Sequence, residues 1–549
     1  MDALKYIESK YSKKVAYYSM EFGIHQCLKI YSGGLGFLAG SHMRSAYELK
    51  QNVVGVGILW SYGYYDQSRN EDSTMKVAYR RKSYSFLEDI GIVVQVSING
   101  ADVYVKAFML KPETFGCAPL FLLTTDIPEN DYLSRTITHK LYEAHEETRI
   151  AQEIVLGIGG TKVIEKSGFN PDIYHMNEGH ALPLAFYLYS TLKSRDKVKE
   201  RLVFTTHTPE KAGNEEHDIH LLSRMGFFDG LGVDKVRELS GMGTHDNVFS
   251  LTVGALRFSK IANAVSKKHC EVANEMWKSI DDICPITGIT NAQNRKYWTD
   301  KPLTNALEEH DDYGMLARKR HLKRRLFDVV ADQTGKMFDP EVLTFVWARR
   351  FAEYKRAGLI KKDFERFRDL VTRSDKPIQI IWAGKPHPND TSGINLFNEL
   401  VYITRELNNC AVLVHYELDL SILLKKGCDV WLNTPRVTRE ASGTSGMSAA
   451  MNGAVNLSIN DGWYLEFEKH GINGFTIYQD GGKDIVEQDE EDFYNLMRVV
   501  ENEVIPIYYT DPARWLEIMK NSITDVVPFF DSGRMADEYY RKLYNYEMK

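Results

Sequence analysis

Cysteine is scarce. The 549 residues hold six, Cys27, Cys117, Cys270, Cys284, Cys410 and Cys428, with no CxxC spacing, which argues against both a disulfide framework and a tetrahedral zinc site. No stretch approaches the roughly twenty apolar residues that span a bilayer. The start, MDALKYIESKYSKKVAYYS, spreads charge where a signal peptide has an apolar core, so a cytoplasmic protein away from membranes is expected. An excess of positive charge is missing too: 68 Lys and Arg face 75 Asp and Glu, a net charge of -7, with no basic run and no Arg-aromatic stripe. Nucleic acid is therefore not an expected partner. Repeats and low-complexity stretches are also lacking. The densest set of possible metal ligands, Glu215, Glu216, His217, Asp218 and His220, lacks the HExxH spacing that pairs two histidines on one helix face. A solvated stretch is expected there, and no metal.

What is present is globular composition: 43% hydrophobic, 26% charged and 12% aromatic residues, enough to bury large cores. At about 150 residues per domain the length allows three or four domains, but α/β domains run past about 200 residues and two are expected. Short β-branched and aromatic runs, at 53–60, 202–206, 343–347, 378–383, 412–415 and 430–432, alternate with longer segments of helical period such as 142–162. Runs without polar alternation are what parallel strands covered on both faces look like. The expected fold is α/β, with doubly wound parallel sheets. Pro, Gly, Thr and Asn gather in CPITGITNAQN from Cys284 to Asn294, which sets the cut: one domain over 1–287, a second over 288–530. A terminal helix over 531–549 carries the mixture of aromatic and charged residues expected of a segment that packs back on the first domain.

Several constellations carry chemistry. Tyr31-Ser32-Gly33-Gly34-Leu35-Gly36 is a glycine-rich turn before a helical run; its amides can face an anion, or the turn is a plain connection. In Val346 to Arg356 an apolar strand runs into a cationic turn. Arg350 and Lys355 there stand where open α/β sheets bind ligands and suit a phosphate, or else form a solvated basic helix start with Glu353 as ion-pair partner. After Asp429-Val430-Trp431-Leu432-Asn433-Thr434-Pro435 comes Glu440, placed to grip sugar hydroxyls or to sit as a helix-start carboxylate, and then the small-residue turn of Gly443 and Thr444, able to cradle an anion. His207 follows a strand end, whereas His180 looks like the start of a helix.

Taken together, YYSMEFGI, SGGLGFLAG, HMNEGHA, VFTTHTP, GITN, RFAEYKR, WAGKPHP and DVWLNTPR followed by EASGTSGM resemble the glycogen/α-glucan phosphorylase family, in particular its short bacterial and archaeal members, over nearly the whole chain. The resemblance implies a GT-B fold, two Rossmann-like domains facing a cleft, with the first on the glucan side and the second on the phosphate side. It implies retaining transfer of glucosyl units between α-1,4-glucan and phosphate. Carried over, Gly34, with Leu35 beside it, offers backbone amides to the sugar phosphate, Arg350 and Lys355 bind that phosphate, and His207 supports the glycosyl cation. His180, Asn291 and Glu440 belong to the sugar side, and Gly443 and Thr444 to the seat of the cofactor's phosphate. The family commonly forms dimers, the one reason to expect a homodimer.

The family's pyridoxal phosphate is bound by a lysine directly after the methionine of GTSGM, and that position is Ser448. A hydroxyl forms no imine, and no lysine occurs from Glu440 through Phe467. Ser41, Ala292 and the Glu210-Lys211 insertion after His207-Thr208-Pro209 are further departures. The leading expectation is a retaining glycosyltransferase with no covalent cofactor, fed by a nucleotide sugar or sugar phosphate and an oligosaccharide or glucan, with Ser448 close enough to a nucleotide ribose for one hydrogen bond. Two alternatives stand beside it: a true phosphorylase holding pyridoxal phosphate noncovalently or through an altered lysine, and a catalytically silent glucan-binding protein.

Overall fold

A computed structural model describes residues 9–210, 213–479, 482 and 484–548. They fall into two compact units. The first takes the described residues up to Tyr64, then Tyr79–Asn291 and Ser532 onward; the second takes Tyr65–Ala78 and Ala292–Asp531. The division therefore lies between Asn291 and Ala292, not at 287/288. The reason is a strand: Ile286–Gly288 pairs in parallel with Ile261–Ala264 and still belongs to the first unit's sheet. Residues 65–78 also depart from the sequence reading. They form a hairpin, Asp66–Arg69 against Met75–Ala78, that belongs to the second unit: Met75 enters its core, and buried Gln67 donates to Gly384 O at 2.8 Å.

In the first unit nine strands make one sheet. In spatial order they are Ile286–Gly288, Ile261–Ala264, Leu202–Thr205, Ile173–Asn177, Val15–Tyr18, Val53–Ile58, Leu120–Thr124, Ala101–Leu110 and Glu88–Ile98. The first seven are parallel; the last two are an antiparallel extension. The strands at the middle, such as Val53–Ile58, are buried residue for residue, whereas Glu88–Ile98 alternates with exposed positions, as a strand with one wet face does.

The second unit's sheet has six parallel strands in the order Cys410–Leu413, Ile378–Ala383, Leu343–Ala348, Val430–Asn433, Val455–Ile459 and Gly474–Ile477. Alternate side chains of its first strand go to opposite faces. Leu343, Phe345 and Trp347 enter one core, and Val346 and Ala348 enter the other, the period-two consequence of the pleat. A chain that builds outward from one central strand, then crosses over to build the other half, leaves a switch point between its two central strands, and the crevice beyond their carboxyl ends is where such sheets bind ligands. Here that point lies between Leu343–Ala348 and Val430–Asn433; in the first unit it lies between Val15–Tyr18 and Ile173–Asn177.

The chain's last segment, helix Ser532–Glu538 followed by the wider turn Tyr539–Tyr544, lies on the first unit. Ser532 Oγ meets Ser45 Oγ at 2.6 Å, and Tyr544 Oη meets His175 Nδ1 at 2.8 Å. No helix among the described residues is long and apolar enough to cross a membrane.

Candidate active site

At the first unit's switch point the chain leaves Val15–Tyr18 and reaches Glu21, whose carboxylate accepts Ser32 N at 2.6 Å, Gly33 N at 3.1 Å and Tyr142 Oη at 2.7 Å. The glycine-rich turn thus already holds an anion, the protein's own. Gly36 is glycine for that reason: a Cβ there would lie 2.6 Å from Glu21 Oε2. The helix Gly34–Glu48 starts beside it, and a Cβ on Gly34 would meet nothing within 4 Å. The first-turn amides of Gly34 and Leu35 have no intrahelical acceptor.

Across the switch point, Ile173–Asn177 ends in Glu178, held at φ 70, a conformation that a non-glycine residue keeps only when its surroundings enforce it. Its Oε1 accepts His207 N at 2.6 Å and Thr208 Oγ1 at 3.2 Å. Burial raises the Glu178 carboxyl to about 7, with the His207 amide opposing. His207 Nε2 and Asn177 Oδ1 are 2.7 Å apart, and burial, with His269 and His180 adding repulsion, lowers the imidazole to about 3. It is neutral at physiological pH. His180 packs near Tyr142, with ring centroids 6.2 Å apart, and burial lowers it to about 3 as well. Asn291 is buried, and its Oδ1 meets no donor among the described residues.

Beside them lies a cluster that the sequence reading took for solvated. Glu216–Asp218 is a short strand paired with Val248–Ser250, which turns His217 inward while Glu216, Asp218 and His220 stay exposed. Glu153, fully buried on the helix Glu146–Ile154, joins Glu215 and His217, their ligand atoms within 4.8 Å of one another. Arg149 completes the group, donating to Glu215 Oε2 at 3.0 Å.

At the second unit's switch point the strand Leu343–Ala348 delivers Arg349 and Arg350. Arg349 is buried, donates to Asn433 Oδ1 and stands 3.8 Å from Glu440 Oε2; Arg350 is exposed. Lys355 Nζ donates to Glu440 Oε2 at 2.7 Å. Burial alone would raise the Glu440 carboxyl, but Lys355 and Arg349 outweigh it and hold the group below its usual range. Asp461 accepts Glu440 N at 3.0 Å and Gly462 N at 2.9 Å, and burial raises it to about 7. Gly443, at φ 90, leads into the helix Thr444–Ala450. With three cations, one carboxylate and a half-protonated Asp461, the group stays net positive at neutral pH.

Residues 287–506 match the carbohydrate phosphorylase family, and residues 26–280 the starch synthase catalytic domain. The chain is 34% identical to a maltodextrin phosphorylase of Thermococcus litoralis, over 98% of this chain and 71% of that one. It is 32% identical to a glycogen phosphorylase of Aquifex aeolicus, over 99% of this chain and 87% of that one. The chain belongs to the carbohydrate phosphorylase family. It is also 50% identical to an uncharacterised protein of Methanocaldococcus jannaschii, over 97% and 100% of the two chains. The α/β fold is the GT-B fold of the families matched, and the protein is a glycosyltransferase of phosphorylase type.

Within this family member, Gly34, Leu35, His180, His207 and Asn291 all lie on the first unit, and Arg350, Lys355, Glu440, Gly443, Thr444 and Ser448 on the second. Ser448 is fully buried. Its hydroxyl donates back along its own helix, 3.2 Å from Ser445 O and 3.4 Å from Thr444 O. Ser41 is buried, its carbonyl accepting Ser532 Oγ at 3.2 Å, and Ala292 is buried at the first position of the second unit. Lys211 lies outside the described residues. Sequence reasoning missed Glu21, Glu178, Arg349 and Asp461. Three of them stood inside or beside the motifs MEFGI, HMNEGHA and RRFAEYKR, but nothing in a linear pattern says which acid closes on which amide.

Proposed function

We propose that this protein transfers glucosyl units, with retention, between an α-1,4-glucan and phosphate, releasing or consuming glucose 1-phosphate. The observation that carries the reading is the Lys355–Glu440 pair with Arg349 behind it, a net positive group at the switch point of the second sheet. Fixed cations stabilise the phosphate as the glycosidic bond breaks, without reorganisation at the moment of reaction. Glu440, ionised and anchored through its own amide, accepts a sugar hydroxyl. On the first unit, Glu178 fixes the backbone of His207, whose neutral imidazole and carbonyl, with Asn291, face the saccharide.

Pyridoxal phosphate would supply an aldehyde for an amine and a phosphate able to hold or pass a proton. Position 448 offers no amine. A hydroxyl forms no imine, so the residue at position 448 does not fit covalent attachment of that group. A second reading, favoured by Ser448 alone, dispenses with that cofactor and takes a nucleotide sugar as donor at the same cations.

The test is an assay of purified protein with maltodextrin and orthophosphate, and in reverse with glucose 1-phosphate, each with and without added pyridoxal phosphate. Glucose 1-phosphate release supports the main reading. Glucan extension from nucleotide-linked glucose alone supports the second, and binding of maltodextrin with neither turnover overturns both.

A further inference from the structure

Lys355 and Glu440 come from different loops. Lys355 closes the short turn Glu353–Lys355 that follows the strand Leu343–Ala348, and Glu440 lies beyond Pro435, after the strand Val430–Asn433. The pair meets at 2.7 Å only if those two loops keep one register. Backbone contacts supply part of it: Arg436 N donates to Tyr354 O at 2.8 Å, and Thr434 Oγ1 donates to Lys355 O at 3.1 Å. The rest runs through two arginines. Arg356, held at φ 49 directly after Lys355, is buried and donates from Nε to Thr434 O at 3.0 Å and from Nη2 to Pro435 O at 2.9 Å. Arg436, on the second loop, is buried too and reaches back to Glu353 Oε1 at 3.1 Å.

One carboxylate joins the two. Asp489, on the helix Ile485–Val499, accepts Arg356 Nη1 on Oδ1 and Arg436 Nη2 on Oδ2, both at 2.8 Å, with Arg436 Nε donating to Oδ1 at 3.2 Å. On the same helix Asp492 lies 2.7 Å from Arg356 Nη2. Burial alone would raise the Asp489 carboxyl, but the two arginines outweigh it and hold the group below its usual range.

We propose that Asp489 is a positioning residue for the phosphate site: through Arg356 and Arg436 it locks the loop of Lys355 to the loop of Glu440, and so sets the ammonium that meets phosphate. The inference rests on the phosphorolytic reading above. Charge alone would give the opposite effect. Asp489 is negative, so removing its charge favours an anion bound nearby through the field; if Asp489 positions Lys355, its removal weakens that anion instead. Asparagine has one acceptor oxygen and would turn an NH2 group toward one of the guanidinium groups, so D489N releases a loop with little change of shape.

The experiment measures sulfate affinity by calorimetry on the intact wild-type protein, D489N and E490Q, with phosphate and maltodextrin kinetics on the same proteins. Glu490 is the next residue of the helix and pairs with Lys362 instead, so E490Q removes an equal charge without touching the clamp. D489N should bind sulfate about tenfold more weakly than wild type, the scale of one displaced charge-assisted hydrogen bond. It should lose as much in kcat/KM for orthophosphate with the maltodextrin KM unchanged, while E490Q matches wild type or binds sulfate slightly more tightly. A merely structural role would lower the melting temperature and leave the sulfate affinity of the folded protein where it was. R436K keeps its charge and loses the fork to Asp489; it should weaken sulfate in the same direction and carries the test if D489N does not fold. Unchanged or tighter sulfate binding in D489N, or in R436K where D489N does not fold, overturns the proposal, as do equal weakening in E490Q and a wild type that binds no sulfate. A wild type that turns over no glucose 1-phosphate, with the sulfate loss in D489N intact, would sink the phosphorolytic reading and leave the positioning role standing; turnover that D489N leaves unchanged would do the reverse.

Discussion

Lys355 Nζ donates to Glu440 Oε2 at 2.7 Å, with the two side chains only 12% and 10% exposed. A half-closed ion pair whose carboxylate is also 3.8 Å from Arg349 holds the ammonium in place before any ligand arrives. K355M should lower kcat/KM for orthophosphate by about 100- to 1000-fold, the loss typical when one preorganised charge is removed from a developing anion. Initial-rate kinetics with phosphate varied at saturating maltodextrin measures it; an unchanged phosphate KM and kcat would remove Lys355 from the phosphate site.

Glu178 offers a pH signature. Its carboxyl titrates near 7 in the folded chain and near 4.3 when unfolded, so the folded state binds the extra proton between those values and stability falls as pH rises through that window. E178Q keeps an acceptor for the His207 amide and has no charge to bury. Its gain over wild type should be about 2 to 3 kcal/mol greater at pH 8 than at pH 5, read from urea unfolding at both values. An equal difference at the two pH values would mean that Glu178 is solvated and ordinary.

Strands of the second unit's sheet were legible because they are apolar without alternation: 343–347 and 378–383 read directly as buried parallel strands, and they are, whereas Val15–Tyr18 and Ile173–Asn177 at the first sheet's switch point, with tyrosine, histidine and asparagine among their residues, did not stand out. The hairpin at 65–78 was not, because Asp66-Gln67-Ser68-Arg69 reads as a polar loop until Gln67 finds Gly384 O in the other half of the sequence. The same holds at the sites. The cationic turn after Leu343–Ala348 was visible as charge, but which arginine turns inward is decided by Asn433, 84 residues away. Lys425 and Lys426 look alike in sequence as the basic end of a helix; only packing against Trp298 makes one of them a buried amine.

The acidic pair on the first unit should respond asymmetrically to mutation. Burial keeps Glu153 well above the usual carboxylate range, with Glu215 adding repulsion, while Glu215 is lowered to about 2 because His217 and Arg149 outweigh its burial. Glu153 is therefore the protonated partner. E153Q should cost less than about 1 kcal/mol, because it replaces one neutral hydrogen-bonding group by another. R149M leaves the Glu215 charge without its guanidinium and should cost about 3 kcal/mol. Denaturant titration of both variants separates the two outcomes; similar costs would show that both glutamates are ionised.

Asp461 acts on Glu440 from behind. Its Oδ2 accepts Glu440 N at 3.0 Å and its Oδ1 accepts Gly462 N at 2.9 Å, so one carboxylate oxygen holds the backbone of Glu440 and the other that of its own neighbour. Asparagine has one acceptor oxygen and would turn an NH2 group toward the second amide, so D461N should lower kcat about tenfold, the scale of one displaced hydrogen bond near 1.4 kcal/mol. A merely structural role would stop there. Because the carboxyl titrates near 7, raising the pH also adds negative charge beside the cations meant for phosphate. Sulfate does not titrate in this range and serves as the probe: its affinity, measured directly without phosphate present, should weaken from pH 6 to pH 8 in the wild type and stay constant in D461N. A wild-type sulfate affinity that is flat across that interval would show that Asp461 does not titrate there and would remove it from the charge balance that sets anion affinity at the second switch point.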